Sequence, residues 1–186
     1  MFLLPLLLGF AFFSASAFTA AFSRRWGESH GQLASLVLRD VLGMPLWVAG
    51  LVLAALTPSA WLFPPGPVTR TLGWQLILTG AFIILLALRT VGLRSLVPSV
   101  QDALVHNGLY AYVRHPIYSG VILEFLGLAL LRPQKMLALA CVLGIAWMLL
   151  QARLEELDLL QRIPAYRAYM KQVPGFFPRL GGKRGR

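Results

Sequence analysis

An all-α fold, a polytopic membrane bundle of about five transmembrane helices, is what this sequence predicts, and three observations carry that reading. Of 186 residues, 58% are hydrophobic and 13% charged. A soluble domain of that length would carry about a quarter charged residues, and the mean hydropathy here is +0.70. The apolar residues gather in five long runs, and the basic residues fall between and after them.

The runs cover residues 2–22, 41–63, 72–88, 117–131 and 136–150. A helix needs about 20 apolar residues to cross the hydrocarbon core. The first two runs meet that length and the third approaches it. The first could be mistaken for a cleaved leader, because Ala15-Ser16-Ala17 resembles a small-residue cleavage site. It lacks a basic stretch in front, and Arg24-Arg25 follow it instead, so a retained helix is expected. The last two runs are shorter and are joined by Arg132-Pro133-Gln134-Lys135. They read as a helical hairpin tucked partly inside the bundle, followed by a short cytoplasmic helix and a tail. Residues 1–71 are then N-terminal membrane helices, 72–180 a core that carries the polar motifs, and 181–186 a basic flexible tail, in one compact domain overall.

Fourteen of the 17 Lys and Arg lie on one side if the N-terminus is outside. That bias places the C-terminal tail in the cytoplasm. It also explains the net charge of +10 through membrane lipid rather than nucleic acid, since the aromatic residues sit in apolar runs instead of alternating with basic ones. Cys141 lies in an apolar run and has no partner for an intrachain disulfide. His30, His106 and His115 have no metal-ligand spacing, so no metal site is expected.

Two polar clusters interrupt this pattern. The first is Gly108-Leu109-Tyr110-Ala111-Tyr112-Val113-Arg114-His115-Pro116-Ile117-Tyr118, and the second is Arg153-Leu154-Glu155-Glu156. Ionisable groups at a membrane edge are costly and usually functional. Mirroring the hairpin about its turn sets Arg114 opposite Arg153 and Tyr112 opposite Glu155, so both clusters should share one cytoplasmic cavity. Pro116 suits a first helical position, where its missing N–H costs nothing. The bland alternative is an aromatic belt with snorkelling arginines, and a wet helix face formed by Arg153, Asp158 and Arg162. Glu124, inside the fourth run, should face the interior, where it caps a buried donor or meets a head group.

The same residues resemble the isoprenylcysteine carboxyl methyltransferase family and the related phospholipid methyltransferases. The resemblance rests on Leu104-Val105, Gly108-Leu109-Tyr110, Arg114-His115-Pro116-Ile117-Tyr118, Glu155-Glu156, Tyr166-Arg167-Ala168-Tyr169 and Val173-Pro174. It spans about residues 72–180. Two departures are visible: Arg162-Ile163-Pro164 replaces a Phe-Gly pair, and Gly175 stands where an arginine is common. The resemblance implies an integral membrane methyltransferase that uses S-adenosylmethionine. It implies cofactor contacts from Leu104, Val105, Tyr110, His115, Pro116, Ile117, Tyr118 and the Glu155-Glu156 pair, with the register between the two glutamates left open. Arg114, His115 and Arg153 are the candidates for work on the acceptor: the arginines to hold an anionic head group, His115 to take a proton from an amine. The implied partners are membrane lipids and an amphipathic or lipid-like acceptor, isoprenylcysteine-type included. No Gly-x-Gly-x-x-Gly loop and no soluble Rossmann-sized segment is present, so a nucleotide-like cofactor would bind at the membrane rim. The competing readings are a sterol-type membrane reductase using NADPH and a non-catalytic membrane scaffold.

Overall fold

Proline and glycine set several boundaries in the computed structural model, which describes residues 1–92 and 104–178. Among these residues eight α-helices follow in order: α1 (Leu3–Ala15), α2 (Thr19–Trp26), α3 (Glu28–Leu36), α4 (Met44–Leu56), α5 (Pro67–Val91), α6 (Pro116–Leu131), α7 (Lys135–Arg162) and α8 (Tyr166–Gln172). A π-helical segment, Val37–Gly43, joins α3 to α4, and a 3-10 turn, Gly108–Ala111, precedes α6. The basic tail at 181–186 lies outside the described residues.

Among the described residues, three continuous helices are long and apolar enough to cross a membrane: Glu28–Leu56, Pro67–Val91 and Lys135–Arg162. The α1–α2 pair makes a fourth span if it is taken as one, but it bends by 63°. The single helix expected over residues 2–22 is therefore broken. Ser16 explains the break, because its Oγ donates to the Phe13 carbonyl at 2.5 Å and competes with continuation of the helix. The second span starts at Glu28, well before the apolar run at 41. Glu28, His30, Gln32, Arg39 and Asp40 hide that helix from a hydropathy reading. It stops at Leu56, since Pro58 disfavours helical backbone in the residue before it. Pro67 sits in the first turn of α5, and Gly92, at a φ of 61°, ends it. The apolar run at 136–150 continues as polar helix to Arg162.

On α5, Trp74, Leu78, Phe82 and Leu85 are exposed. They recur at helical spacing, as a lipid-facing stripe should. The opposite face of α5 packs along α6 through four glycines. A Cβ at Gly80 would lie 2.5 Å from the Gly120 carbonyl oxygen, and one at Gly127 would lie 2.6 Å from that of Gly73. Small residues let membrane helices approach at backbone distance. The same seam accommodates Glu124, whose Cγ lies 2.9 Å from where a Cβ of Gly80 would be.

The N-terminal helices pack on α7 through Trp147. Its ring stacks on Phe10 with 4.2 Å between centroids and meets Phe13 edge-on, while its Nε1–H donates to Ser14 Oγ at 3.0 Å. Nearer the rim, Asp158 accepts the Ala20 backbone N–H at 2.9 Å and pairs with Arg162 at 2.6 Å. The side chains of these two residues, read from sequence as part of a possible wet face, are covered, Arg162 at 8% and Asp158 at 5% exposure.

The hairpin register also differs from the mirror estimate. Glu155 meets Tyr118, not Tyr112, and Arg114 meets Glu156, not Arg153. Helical side chains lean toward their own N-terminus. In this antiparallel pair Tyr118 therefore leans toward the rim and Glu155 leans away from it, so residues at different backbone depths touch. Tyr112 is half exposed.

Candidate active site at the helix rim

The rim begins at Gly108, whose φ of 55° is in the left-handed region that favours glycine. The chain then makes one 3-10 turn and reaches His115 and Pro116, with Pro116 at the first position of α6. The C-terminal segment that follows α8 is laced onto this stretch. The backbone N–H groups of Arg114 and His115 donate to the carbonyls of Pro174 and Gly175 at 2.9 and 3.0 Å. Ser119 Oγ donates to the Phe176 carbonyl at 2.9 Å. Irregular backbone near a membrane needs such partners. The Val-Pro-Gly-Phe ending is thus a strap that holds the rim.

Glu156 gathers the cations. Arg114 donates to its Oε1 through Nε at 3.0 Å and through Nη2 at 2.7 Å. His115 Nε2 lies 2.9 Å from the same oxygen, and Arg153 Nη1 donates to Oε2 at 3.0 Å. The remaining Arg114 nitrogen, Nη1, donates to the carbonyls of Met170 and Val173. Glu156, Arg114 and His115 are almost fully buried. A buried ion pair is tolerable when its lone pairs and protons are satisfied in this way. Because an ion-paired carboxylate accepts but does not donate, the His115 hydrogen sits on Nε2, and in the neutral ring Nδ1 carries the lone pair. The imidazole is fixed between Tyr118, at 5.7 Å and nearly parallel, and Phe176, at 5.5 Å.

Glu155 points elsewhere. It accepts a hydrogen bond from the Tyr118 hydroxyl and forms part of the wall of a cavity of about 440 Å³. Leu104, Val105, Tyr110, His115, Ile117 and Tyr118 share that wall, and Arg114 borders it with its guanidinium turned to Glu156. Three of the residues singled out from sequence lie off the wall. Pro116 is buried as the helix start, Glu156 is enclosed by its cations, and Arg153 is largely exposed on the far side of Glu156. The two glutamates therefore part in space: Glu155 faces the cavity and Glu156 holds the rim.

The wall has a second half that sequence reasoning missed. Phe13, Ser16, Thr19, Arg39, Asp40 and Met44 come from the N-terminal helices, and Tyr166 and Tyr169 come from α8. The two tyrosines were visible as a motif but carried no sign of their position. Tyr169 donates its hydroxyl to the Tyr110 carbonyl at 2.6 Å, pinning α8 to the rim. Burial pushes the Tyr169 phenol up to about 12, and burial first, then the nearby Glu155 charge, raises Tyr110. Burial likewise raises Tyr166, with a further push from Glu156. All three phenols stay protonated, and so able to donate, throughout the neutral range.

With this geometry in view, comparison with known proteins is decisive at family level. The model of a family described as phospholipid methyltransferase matches residues 68–166, just over half of the chain. The chain belongs to the phospholipid methyltransferase family. Among curated proteins it is similar to the cobalt-zinc-cadmium resistance protein CzcN of Cupriavidus metallidurans, with 36% identity over 88 residues. Those residues are 46% of this chain and 40% of that protein. No solved structure matches significantly. The family segment holds the rim and both glutamates. The strap lies beyond its end, and the N-terminal wall of the cavity lies before its start. The family match and the apolar helices together indicate a membrane protein of this family.

Proposed function

We propose that this protein transfers a methyl group from S-adenosylmethionine to an amphipathic, lipid-like acceptor inside the rim cavity. The observation that carries the reading is the division between the glutamates. Glu156 is used up by Arg114, His115 and Arg153, which leaves Glu155 as a carboxylate beside aromatic rings in the cavity wall.

These residues suit the group. Small-molecule sites typically measure about 300–1,000 Å³, and 440 Å³ falls in that range. S-adenosylmethionine supplies a methyl carbon activated by a sulfonium centre. Tyr110, Tyr118 and Tyr166 offer ring faces that attract a cation. Glu155 keeps acceptor capacity beyond the Tyr118 bond for ribose hydroxyls or a cationic amino group. Leu104, Val105 and Ile117 supply apolar contact. Holding donor and acceptor in line is itself a large part of catalysis for a displacement reaction. A carboxylate or thiolate acceptor would need no base. An amine acceptor would have to lose a proton, and His115, on the cavity wall, is an imidazole that could take it. Arg114 and Arg153 act as positioning residues here, because their guanidiniums are bound to Glu156 and to the strap rather than presented to a head group.

The Lys and Arg distribution supports a cytoplasmic cavity with the N-terminus outside. A fluorescent-protein fusion to the C-terminus should then fluoresce, and a dark fusion beside a periplasm-active one would reverse this orientation.

Calorimetric titration of the purified protein separates the methyltransferase reading from the reductase. S-adenosylhomocysteine should bind and NADPH should not, and the opposite pattern would overturn the proposal. A labelled-methyl assay with a membrane lipid extract, followed by identification of the labelled product, then names the acceptor.

A further inference from the structure

A second cavity, of about 280 Å³, lies between α7 and the strap, and it shares only Arg114 with the wall of the larger one. Arg114, Arg153 and Glu156 line it together with Gly175, Phe176 and Phe177 of the strap. Two guanidiniums and one carboxylate leave this wall with a net positive charge. Arg114 spends its hydrogens on Glu156 Oε1 and on the carbonyls of Met170 and Val173. Arg153 does not. Its Nη1 donates to Glu156 Oε2 at 3.0 Å, Nε and Nη2 have no partner among the described residues, and the side chain is 72% exposed. On α7 Arg153 stands between Leu150 and Leu157, both exposed, at the helical spacing of one outward stripe. It follows the apolar run at 136–150 by three residues, which is the depth at which hydrocarbon gives way to lipid head groups. Phe177, in the same wall, is 78% exposed. Exposed apolar surface beside a free cation at that depth marks contact with the membrane.

We propose that this second cavity holds the phosphate of an anionic membrane lipid that is not a methyl acceptor. The site does not depend on which reaction the larger cavity performs. The planar fork of a guanidinium matches a phosphate through two parallel N–H bonds, and Arg153 keeps such a pair of nitrogens free of protein partners. Glu156 is already shared among Arg114, His115 and Arg153. The cavity therefore offers nothing to a head-group ammonium, which would instead meet two arginines. A phosphate followed by an uncharged alcohol satisfies the wall, and like-charge contact penalises a zwitterionic head group. Leu150, Leu157 and Phe177 flank the site with exposed apolar surface suited to acyl chains, so the phosphate belongs to a lipid rather than to a soluble ester. Once bound, it adds a counter-charge to the cluster that fixes His115, and the lipid becomes a support of the rim.

The test uses the full-length protein in detergent. Retention of phosphatidylglycerol, phosphatidylcholine and soluble glycerol 3-phosphate is compared by native mass spectrometry. Phosphatidylglycerol should be retained about fivefold better than phosphatidylcholine, as expected for one basic residue acting on an anionic lipid. Glycerol 3-phosphate should bind far more weakly, and binding equal to that of the lipid would overturn a membrane source for the phosphate. R153Q changes an exposed side chain, so it should fold, and it should bring the ratio of the two lipids close to one. A Cβ at Gly175 would meet only Arg114 Nη2, at 3.7 Å, so G175L can fill the cavity without displacing backbone and should lower the ratio as R153Q does. R167Q removes the same charge from an exposed position on α8 and should leave the ratio unchanged. An equal fall in R153Q and R167Q would reduce the preference to general charge attraction and overturn the site. So would a wild type without preference, or a folded R153Q or G175L that keeps it. In thermal unfolding, phosphatidylglycerol should stabilise the wild type more than R153Q, and equal shifts would overturn the support of the rim.

Discussion

Glu155 and Glu156 are neighbours in sequence, and their environments make them unlike. Removing the Glu156 charge leaves Arg114 buried without its counter-ion, and breaking a buried pair in this way costs about 3–5 kcal/mol. E156Q should therefore lower stability by about that much, read by thermal unfolding in detergent. E155Q loses a single partly buried contact and should fold normally. Its cost should appear in ligand uptake, with S-adenosylhomocysteine binding weakened by about tenfold or more, as expected for a charge-assisted hydrogen bond. Equal effects of the two substitutions on stability would refute the division of labour. Sequence reading brought both glutamates to the site but could not choose between them. The choice depends on which way each side chain leaves α7, and adjacent residues on a helix leave in different directions.

At the scale of elements, the strap decides whether the rim keeps its shape. A chain ending after Gln172 loses the carbonyls that receive the Arg114 and His115 N–H groups, together with the Phe176 ring that holds His115. Such a truncation should retain its helical circular dichroism while losing most S-adenosylhomocysteine binding. Undiminished binding would show that the rim is self-supporting. The motif Val173-Pro174 was legible in the sequence, but its role was not, because backbone lacing leaves no side-chain signature. The helices show the same limit. The apolar runs located α5, α6 and the first half of α7 closely, since burial in lipid demands continuous apolar residues. They missed α3, whose polar residues carry no hydropathy signal, and they missed the break at Ser16, which depends on one hydroxyl.

For the whole molecule, the cavity closes between two halves. The family segment provides the rim and Glu155, and the N-terminal helices provide the facing wall. Tyr169 and its neighbours Tyr110 and Tyr166 lie where α8 seals that assembly, and they couple its stability to alkaline pH. Their folded-state values are raised, Tyr169 to about 12, above the ordinary phenol value of 10.0. A group raised on folding contributes stability that is fully present below its unfolded value and is lost as pH rises through its folded value. Stability should therefore be level across neutral pH and begin to fall above about pH 10. Unfolding followed together with tyrosinate absorbance would check this, and early tyrosinate formation in the folded protein would contradict it.

Composition and motif spacing by themselves determined the class, an α-helical membrane protein, and gathered the Arg-His-Pro rim and the glutamate pair at one end of the bundle. Those features follow from local requirements: lipid demands apolar runs, and polar clusters survive only at their ends. Tertiary structure decided which glutamate faces the cavity, which cations are already spent on Glu156, and that Arg39 and Asp40 share the cavity wall with Tyr118. Those facts depend on side-chain direction and on contacts between residues as much as 41 and 42 positions apart, and one chain read in order carries no record of either.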